Sequence, residues 1–326
     1  MTLTSPEIGK VSQKDPVAAL GNQRLDLGGA GLALYAEAPL SEPGAGIEHA
    51  VVVIHGTLRN ADIYFAGMKE AKRLAGAAAA RSLVVAPQLL AEVDLEAHGM
   101  RTSGLAWWSL DGWKHGGVSE SRPAISSFAA IDRILDHLAD RSRYPDLRSI
   151  VLAGHSAGGQ IGHRYAVLGT ADEKLAARGI QLTHIVANPS AYLYLTPERP
   201  AGGGRFAVPD RAACPDYDDY KYGLAKLPSH FDADLTALKE RYAKRRVAFL
   251  LGEADNDPAH PQLDRSGAAM AQGPSRYDRG LAFHAYERYL FGEEIAARHT
   301  LATVPGVGHD NAAMFQSRQG LALLFS

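Results

Sequence analysis

Residues 149–169, SIVLAGHSAGGQIGHRYAVLG, constrain the fold of this chain more than any other stretch. The segment opens as an unbroken apolar run, the pattern of a strand buried on both faces. It then passes through a short glycine-rich turn directly into a helical pattern. A strand that feeds a helix is not half of a hairpin, so it belongs in a parallel sheet. Similar apolar runs recur as AVVVI from Ala50, RSLVVAPQ over 81–88, HIVANPSAYLYL from His184, RRVAFLLG from Arg245 and HTLATVPG from His299. Helical patterns separate them. One covers 63–80, and one opens at Pro123 with Ile125, Phe128, Ile131, Leu135 and Leu138 on its inner stripe. Another covers 281–291, and a final one runs through Met314 and Leu324. Strands alternating with helices predict an α/β chain with a mostly parallel sheet covered on both faces. Residues 24–40 read as an edge hairpin around the glycines of 28–31.

At 326 residues the chain is long enough for one large domain with insertions. The expected organisation is a flexible lead-in over 1–22 and a domain over 23–326, with lid or cap elements at about 89–122 and 191–244. The 34 Lys and Arg nearly balance the 36 Asp and Glu, so no basic field argues for nucleic acid, and a small molecule is the expected partner. The first twenty residues lack a charged start followed by an apolar run, and no stretch is long and apolar enough for a membrane span, so a cytoplasmic location is expected. A single cysteine, Cys214, has no partner for a disulfide within the chain and reads as a buried small apolar residue. Monomer and homodimer are both left open.

Gly154-His155-Ser156-Ala157-Gly158 matches G-x-S-x-G. A strand reversing sharply into a helix forces the middle residue into a strained conformation, and glycines on either side relieve the crowding. The serine hydroxyl then stands clear of the sheet, with helix N–H groups behind it. A serine needs a base to take its proton during attack. Of the 13 histidines, His309 sits in a turn, GVGHDN, after the last predicted strand, where a loop carries it over the sheet edge. His155 and His163 read as structural. A carboxylate must orient the imidazole. Asp255, just beyond the strand VAFLLG, is the choice; Asp257 remains an alternative, and Glu253 lies too near the strand. His55-Gly56-Thr57 ends another strand at the same edge, where the N–H of Thr57 joins that of Ala157 as an oxyanion hole.

Taken in chain order, the HG turn, the G-x-S-x-G elbow, the acid after a strand and the late Gly-His resemble the α/β-hydrolase family over about 50–311. The resemblance implies the α/β-hydrolase fold, with Thr57 and Ala157 as the oxyanion donors, and a serine hydrolase of the esterase or lipase kind. The expected activity is cleavage of a small-molecule carboxylic ester through an acyl-enzyme, chemistry that requires no cofactor. Serine peptidase or amidase activity and a non-hydrolytic ligand-binding role are the alternatives. The tryptophan-rich stretch and the later insertion depart from minimal members and are read as the lid. Trp107, Trp108, Trp113 and Tyr192 are the expected pocket aromatics, joined by Tyr194, Tyr217, Tyr220 and Tyr222. Asp216, Asp218 and Asp219 are read as a solvated face, with no metal site expected.

Overall fold

The apolar runs build one eight-stranded sheet in the computed structural model, which describes residues 12–231 and 234–325. The strands are β1 (Gln23–Asp26), β2 (Gly31–Ala36), β3 (His49–Ile54), β4 (Ser82–Pro87), β5 (Ser149–His155), β6 (Gln181–Ala187), β7 (Arg246–Gly252) and β8 (His299–Val304). They lie side by side as β1-β2-β4-β3-β5-β6-β7-β8. The expected edge hairpin, β1 and β2, joins β4 antiparallel, and the remaining pairings are parallel.

The unbroken apolar character of β3 and β5 follows from their position, because both faces are covered. Val52, Ile54, Ile150 and Leu152 point into one core, and Val51, Val53, Val151 and Ala153 into the other. The first core is closed by α2 (Ser127–Leu138), α3 (Ala157–Leu168), α4 (Leu235–Lys244) and α5 (Arg276–Phe291), which contribute Ile131, Ile161, Leu238 and Phe283. The second is closed by α1 (Ala61–Ala75), α6 (Asn311–Gln316) and α7 (Arg318–Leu324), which contribute Met68, Met314 and Leu324. Each fully buried aliphatic side chain contributes about 1.5–3 kcal/mol, so the two central strands are among the most firmly held parts of the molecule. Ile54 pairs with Gly154 and Gly252 with Val304, which brings the carboxyl ends of β3, β5, β7 and β8 to one edge of the sheet.

Several boundaries differ from expectation. The helix expected at Pro123 starts at Ser127, because the Ser126 hydroxyl caps it by accepting from the N–H of Ala129. The final helix is two, divided at Ser317, whose hydroxyl caps the second by accepting from Gly320. Residues 1–11 of the expected lead-in lie outside the described residues, but 12–22 are packed onto the domain. Val17 is buried and donates its N–H to Asp94, and the backbone carbonyls of Gln13 and Asp15 accept from the Arg59 guanidinium.

The expected lid at 89–122 is a packed segment. Leu90–Ala91 pairs with Trp107–Trp108, and Trp108 and Trp113 are fully buried in the core. The stretch 191–244 is likewise integral. Residues 191–195 are core, α4 packs inside the first cluster, and the intervening loop is anchored by Arg199 on Asp218 at 3.1 Å. Cys214 is half-buried in that loop rather than fully buried, with burial and the Asp216 carboxylate pushing its thiol pKa up. Asp219 pairs with the exposed Lys226. No helix among the described residues is long and apolar enough to cross a membrane.

Candidate active site

Ser156 is the residue between β5 and α3, with φ 59° and ψ −121°. This is a conformation L-residues rarely adopt, and it persists only where the surroundings dictate it. Here the dictating contacts are explicit. A Cβ on Gly154 would lie 2.1 Å from the Gly158 carbonyl oxygen, and one on Gly158 would lie 2.2 Å from that of Ile54. The two glycines let α3 start directly against the ends of β3 and β5, and the serine is lifted out of the sheet.

The His309 imidazole reaches this serine from the loop after β8. Its Nε2 lies 2.9 Å from Ser156 Oγ, and its Nδ1 lies 2.6 Å from Asp255 Oδ2. With a carboxylate at Nδ1, the neutral ring carries its proton there and leaves Nε2 to accept the serine proton. Asp255, three residues past β7, is the acid brought to the ring. Asp257 is exposed and accepts from the N–H of Ala259 in a local turn, and Glu253 accepts from the Thr303 hydroxyl instead.

Two side chains with no motif of their own hold this arrangement. Arg276, the first residue of α5, donates from Nη1 to Asp255 Oδ1 at 3.1 Å and from Nε to Ser190 Oγ at 3.0 Å, and it is fully buried. Asn188 accepts the Gly252 N–H at 2.8 Å and donates to the Gly308 carbonyl at 3.3 Å, tying the end of β7 to the histidine loop. Burial pushes the Asp255 pKa up, but the hydrogen bond from His309 and the charges of His309 and Arg276 outweigh it and hold the carboxyl at about 2. Burial, followed by the positive charge of Arg276, lowers His309 to about 4 against the opposing pull of Asp255. The resting pair is therefore a carboxylate and a neutral imidazole at neutral pH.

The HG turn is held just as firmly. His55 accepts the Leu89 N–H at Nε2 and lies 2.8 Å from the Gly56 carbonyl at Nδ1, so it is a neutral structural ring, with burial lowering its pKa to about 4. Arg59, two residues after Thr57, forms a fully buried pair with Asp94. Thr57 and Ala157 line the same cleft as Ser156. Ala157 is the first residue of α3, so its N–H has no acceptor within the helix and is available to a ligand. His155 is buried, with its ring 4.5 Å from that of His309 and its Nδ1 3.2 Å from the Tyr64 hydroxyl. His163 lies inside the core, where its Nδ1 accepts the Leu193 N–H.

Ser156 stands between two clefts. One, of about 580 Å³, is polar and includes Gln13, Asp111, Lys114, Lys221 and Asp264. The other, of about 440 Å³, is more apolar, with Leu58, Ile63, Tyr64 and Ala312 beside His309. The expected pocket aromatics are elsewhere. Trp108 and Trp113 are wholly enclosed, and Tyr192 is stacked on Phe283 at 4.7 Å within the core. Trp107 borders a separate depression with Glu92, Glu96 and Glu120. Large rings were the expected pocket walls, but here they fill the domain interior. Of the expected aromatics, only Tyr222 lines either of the two clefts at Ser156. Lys114, Lys221, Gln13 and Arg276 carried no sequence signal, apart from the oddity of an arginine opening a helix, where the dipole disfavours a cation. Among the described residues no group of three or more His, Cys, Asp or Glu is arranged to hold a metal ion.

Compared with curated proteins, the chain has no match. Among solved structures it is similar to poly(aspartic acid) hydrolase-1 from Sphingomonas sp. KT-1, with 27% identity, a TM-score of 0.63, and coverage of 96% of this chain and 100% of that one. It also shares its fold with LpqC, a poly(3-hydroxybutyrate) depolymerase from Bordetella parapertussis, with 23% identity, a TM-score of 0.60, and coverage of 96% and 99%. Residues 51–322 match the model of the Alpha/beta hydrolase family, spanning both the HG turn and the histidine loop. The chain belongs to the alpha/beta hydrolase family.

Proposed function

We propose that this protein is a serine hydrolase that cleaves a carboxylic ester of a small molecule through an acyl-enzyme on Ser156. The observation that carries the reading is the continuous hydrogen-bond chain from Ser156 Oγ through His309 to Asp255, at 2.9 and 2.6 Å, opening on a cleft. In the first half-reaction Ser156 Oγ attacks the ester carbonyl carbon as its proton passes to His309 Nε2. The N–H groups of Thr57 and Ala157 stabilise the resulting oxyanion. Collapse of the tetrahedral intermediate breaks the bond to the alkoxy oxygen, which takes the proton from His309 and leaves as alcohol. Water then repeats the sequence on the acyl-enzyme and releases the acid.

Amide cleavage is a second reading, supported by the 27% identity to a protein named for hydrolysing poly(aspartic acid), a polyamide. The same triad serves both bonds, and the leaving nitrogen takes its proton from His309 as the alkoxy oxygen does.

Fluorophosphonate labelling with peptide mapping tests the reading. Modification at Ser156, absent from Ser156→Ala, together with turnover of 4-nitrophenyl esters, is the expected result. A folded wild-type protein that neither labels nor turns over esters or amides overturns it in favour of a binding role.

A further inference from the structure

The polar cleft beside Ser156 has more positive charge in its walls than its own carboxylates neutralise. Lys114 is almost fully buried and donates to Asp111 Oδ1 and Gln13 Oε1, both at 2.8 Å. An ammonium has three donors, so one remains. Lys221 is half-buried across the cleft, and among the described residues no carboxylate lies within 4.0 Å of its Nζ. Behind both stands Arg164, from α3, with no exposure at all. Its guanidinium donates to the backbone carbonyls of Lys114 at 2.8 Å and Lys221 at 3.3 Å and to the Gln160 amide oxygen at 3.2 Å. It too lacks a carboxylate partner at ion-pair distance among the described residues. One buried guanidinium thus ties down both lysine-bearing loops while its own charge stays unpaired. Buried charge without a counter-ion is costly unless something supplies one.

We propose that this cleft is a subsite for a carboxylate on the substrate, held by Lys114 and Lys221 with Arg164 behind them. The placement beside acyl chemistry rests on the serine-hydrolase reading. The charge count selects the kind of anion. Three cations face two carboxylates, Asp111 and Asp264, and Asp264 is already engaged by the Tyr222 hydroxyl at 2.7 Å and the Ser266 N–H at 3.0 Å. A monoanion neutralises the excess, whereas a phosphate dianion overshoots it and meets the two aspartates. Lys114 and Lys221 also both have lowered pKa values, through burial and the neighbouring Arg164 charge among other causes, and the negative charge of a bound anion offsets them. Acids bearing a second, free carboxylate, such as the half-esters of dicarboxylic acids, are the substrate class this wall fits.

The test has a binding arm and a kinetic arm. In the Ser156→Ala protein, calorimetry compares monomethyl glutarate, dimethyl glutarate and inorganic phosphate. The expected order is tight, weak and weak, with the first two separated by about tenfold or more. Adding Lys221→Gln erases that separation, and Lys221→Arg restores it. Equal binding of the two glutarates, or a difference that survives Lys221→Gln, overturns the proposal. Phosphate binding as tight as that of monomethyl glutarate overturns the assignment to a carboxylate. In the kinetic arm, the kcat/KM ratio of 4-nitrophenyl hydrogen glutarate to 4-nitrophenyl butyrate falls about tenfold in Lys221→Gln, and an unchanged ratio counts against the subsite. Failure of the hydrolase reading shows separately, as absent turnover and absent Ser156 labelling in the wild-type protein, while calorimetry still decides the subsite.

Discussion

The Asp255 carboxylate and the Arg276 guanidinium meet at 3.1 Å, both side chains buried, on the oxygen of Asp255 that His309 does not use. The acid is thereby gripped from two sides, and its orientation toward His309 is set by a residue that never reaches Ser156. Arg276 also contributes positive charge that lowers the proton affinity of His309. Its part in the proposed hydrolysis is that of a positioning residue, through Asp255.

Replacing Arg276 with Gln removes both effects. A slack acid misplaces the imidazole, and displacement of that kind costs up to ~10²-fold in rate. The acid limb of the kcat/KM profile, set by a His309 pKa of about 4 in the parent protein, moves to higher pH because the ring regains proton affinity. Arg276→Lys keeps the charge and recovers part of the rate and of the profile. Steady-state kinetics from pH 4 to 8 measure both. A rate loss with an unmoved acid limb shows Arg276 to be structural only.

The two aspartates that the sequence left in competition separate cleanly. Asp255→Asn removes the acceptor that fixes the His309 tautomer, and the expected fall in kcat is ~10⁴-fold. Asp257 is exposed and only caps the turn at Ala259, so Asp257→Asn stays within about twofold, in keeping with a surface change away from the site. Comparable losses in both variants overturn the assignment.

The elbow makes a stability prediction. Gly154→Ala places a methyl group 2.1 Å from the Gly158 carbonyl oxygen, and the atoms it meets are all backbone, which cannot swing aside as a side chain can. Overpacking of this kind costs about 1–3 kcal/mol or more. Gly162, also in α3, has open space around its missing Cβ, so Gly162→Ala gains helix propensity of about 1 kcal/mol. Urea denaturation of the two variants resolves opposite shifts in midpoint.

What was legible in the sequence was whatever depends on neighbours along the chain. The parallel strands showed as β-branched runs because both faces are buried. The elbow showed because its steric needs fall on glycines within five residues, and His309 showed because it follows a strand. Arg276, Asn188, Lys114 and Lys221 act across the fold, and nothing beside them in sequence announces a partner tens of residues away. The helix expected over 281–291 starts five residues earlier, at Arg276, because the Ser275 hydroxyl caps it by accepting the Asp278 N–H. The tryptophans misled because large apolar rings suit a core as well as a pocket. Trp107→Ala is accordingly expected to leave KM for a 4-nitrophenyl ester unchanged, whereas a several-fold rise restores the pocket reading.

Histidines shielded wholly or partly from water give the fold an acid sensitivity that its activity does not share. His55, His115 and His309 are lowered to about 4 and His163 to about 3, in each case first by burial. Between the ordinary histidine value of 6.5 and about 4, the unfolded chain binds protons that the folded chain refuses. Stability therefore rises with pH across this window and is lost as pH falls through it. Each tenfold difference in proton affinity is worth about 1.4 kcal/mol, so several such groups together are a large fraction of a domain's stability. Asp255, held at about 2 against an ordinary 3.8, extends the loss in the same direction at lower pH. At the alkaline end, Tyr35, raised to about 12 by burial and then by the charge of Asp62, makes stability fall above the ordinary tyrosine value of 10. Urea midpoints measured at pH 7.5, 6 and 5 are expected to drop steadily, while kcat/KM at pH 5 stays near its plateau because His309 in the folded protein is still neutral. A flat set of midpoints contradicts the shielded neutral histidines. Activity that falls in step with an ordinary histidine titration shows instead that His309 is not held in the low-pKa setting the geometry gives it.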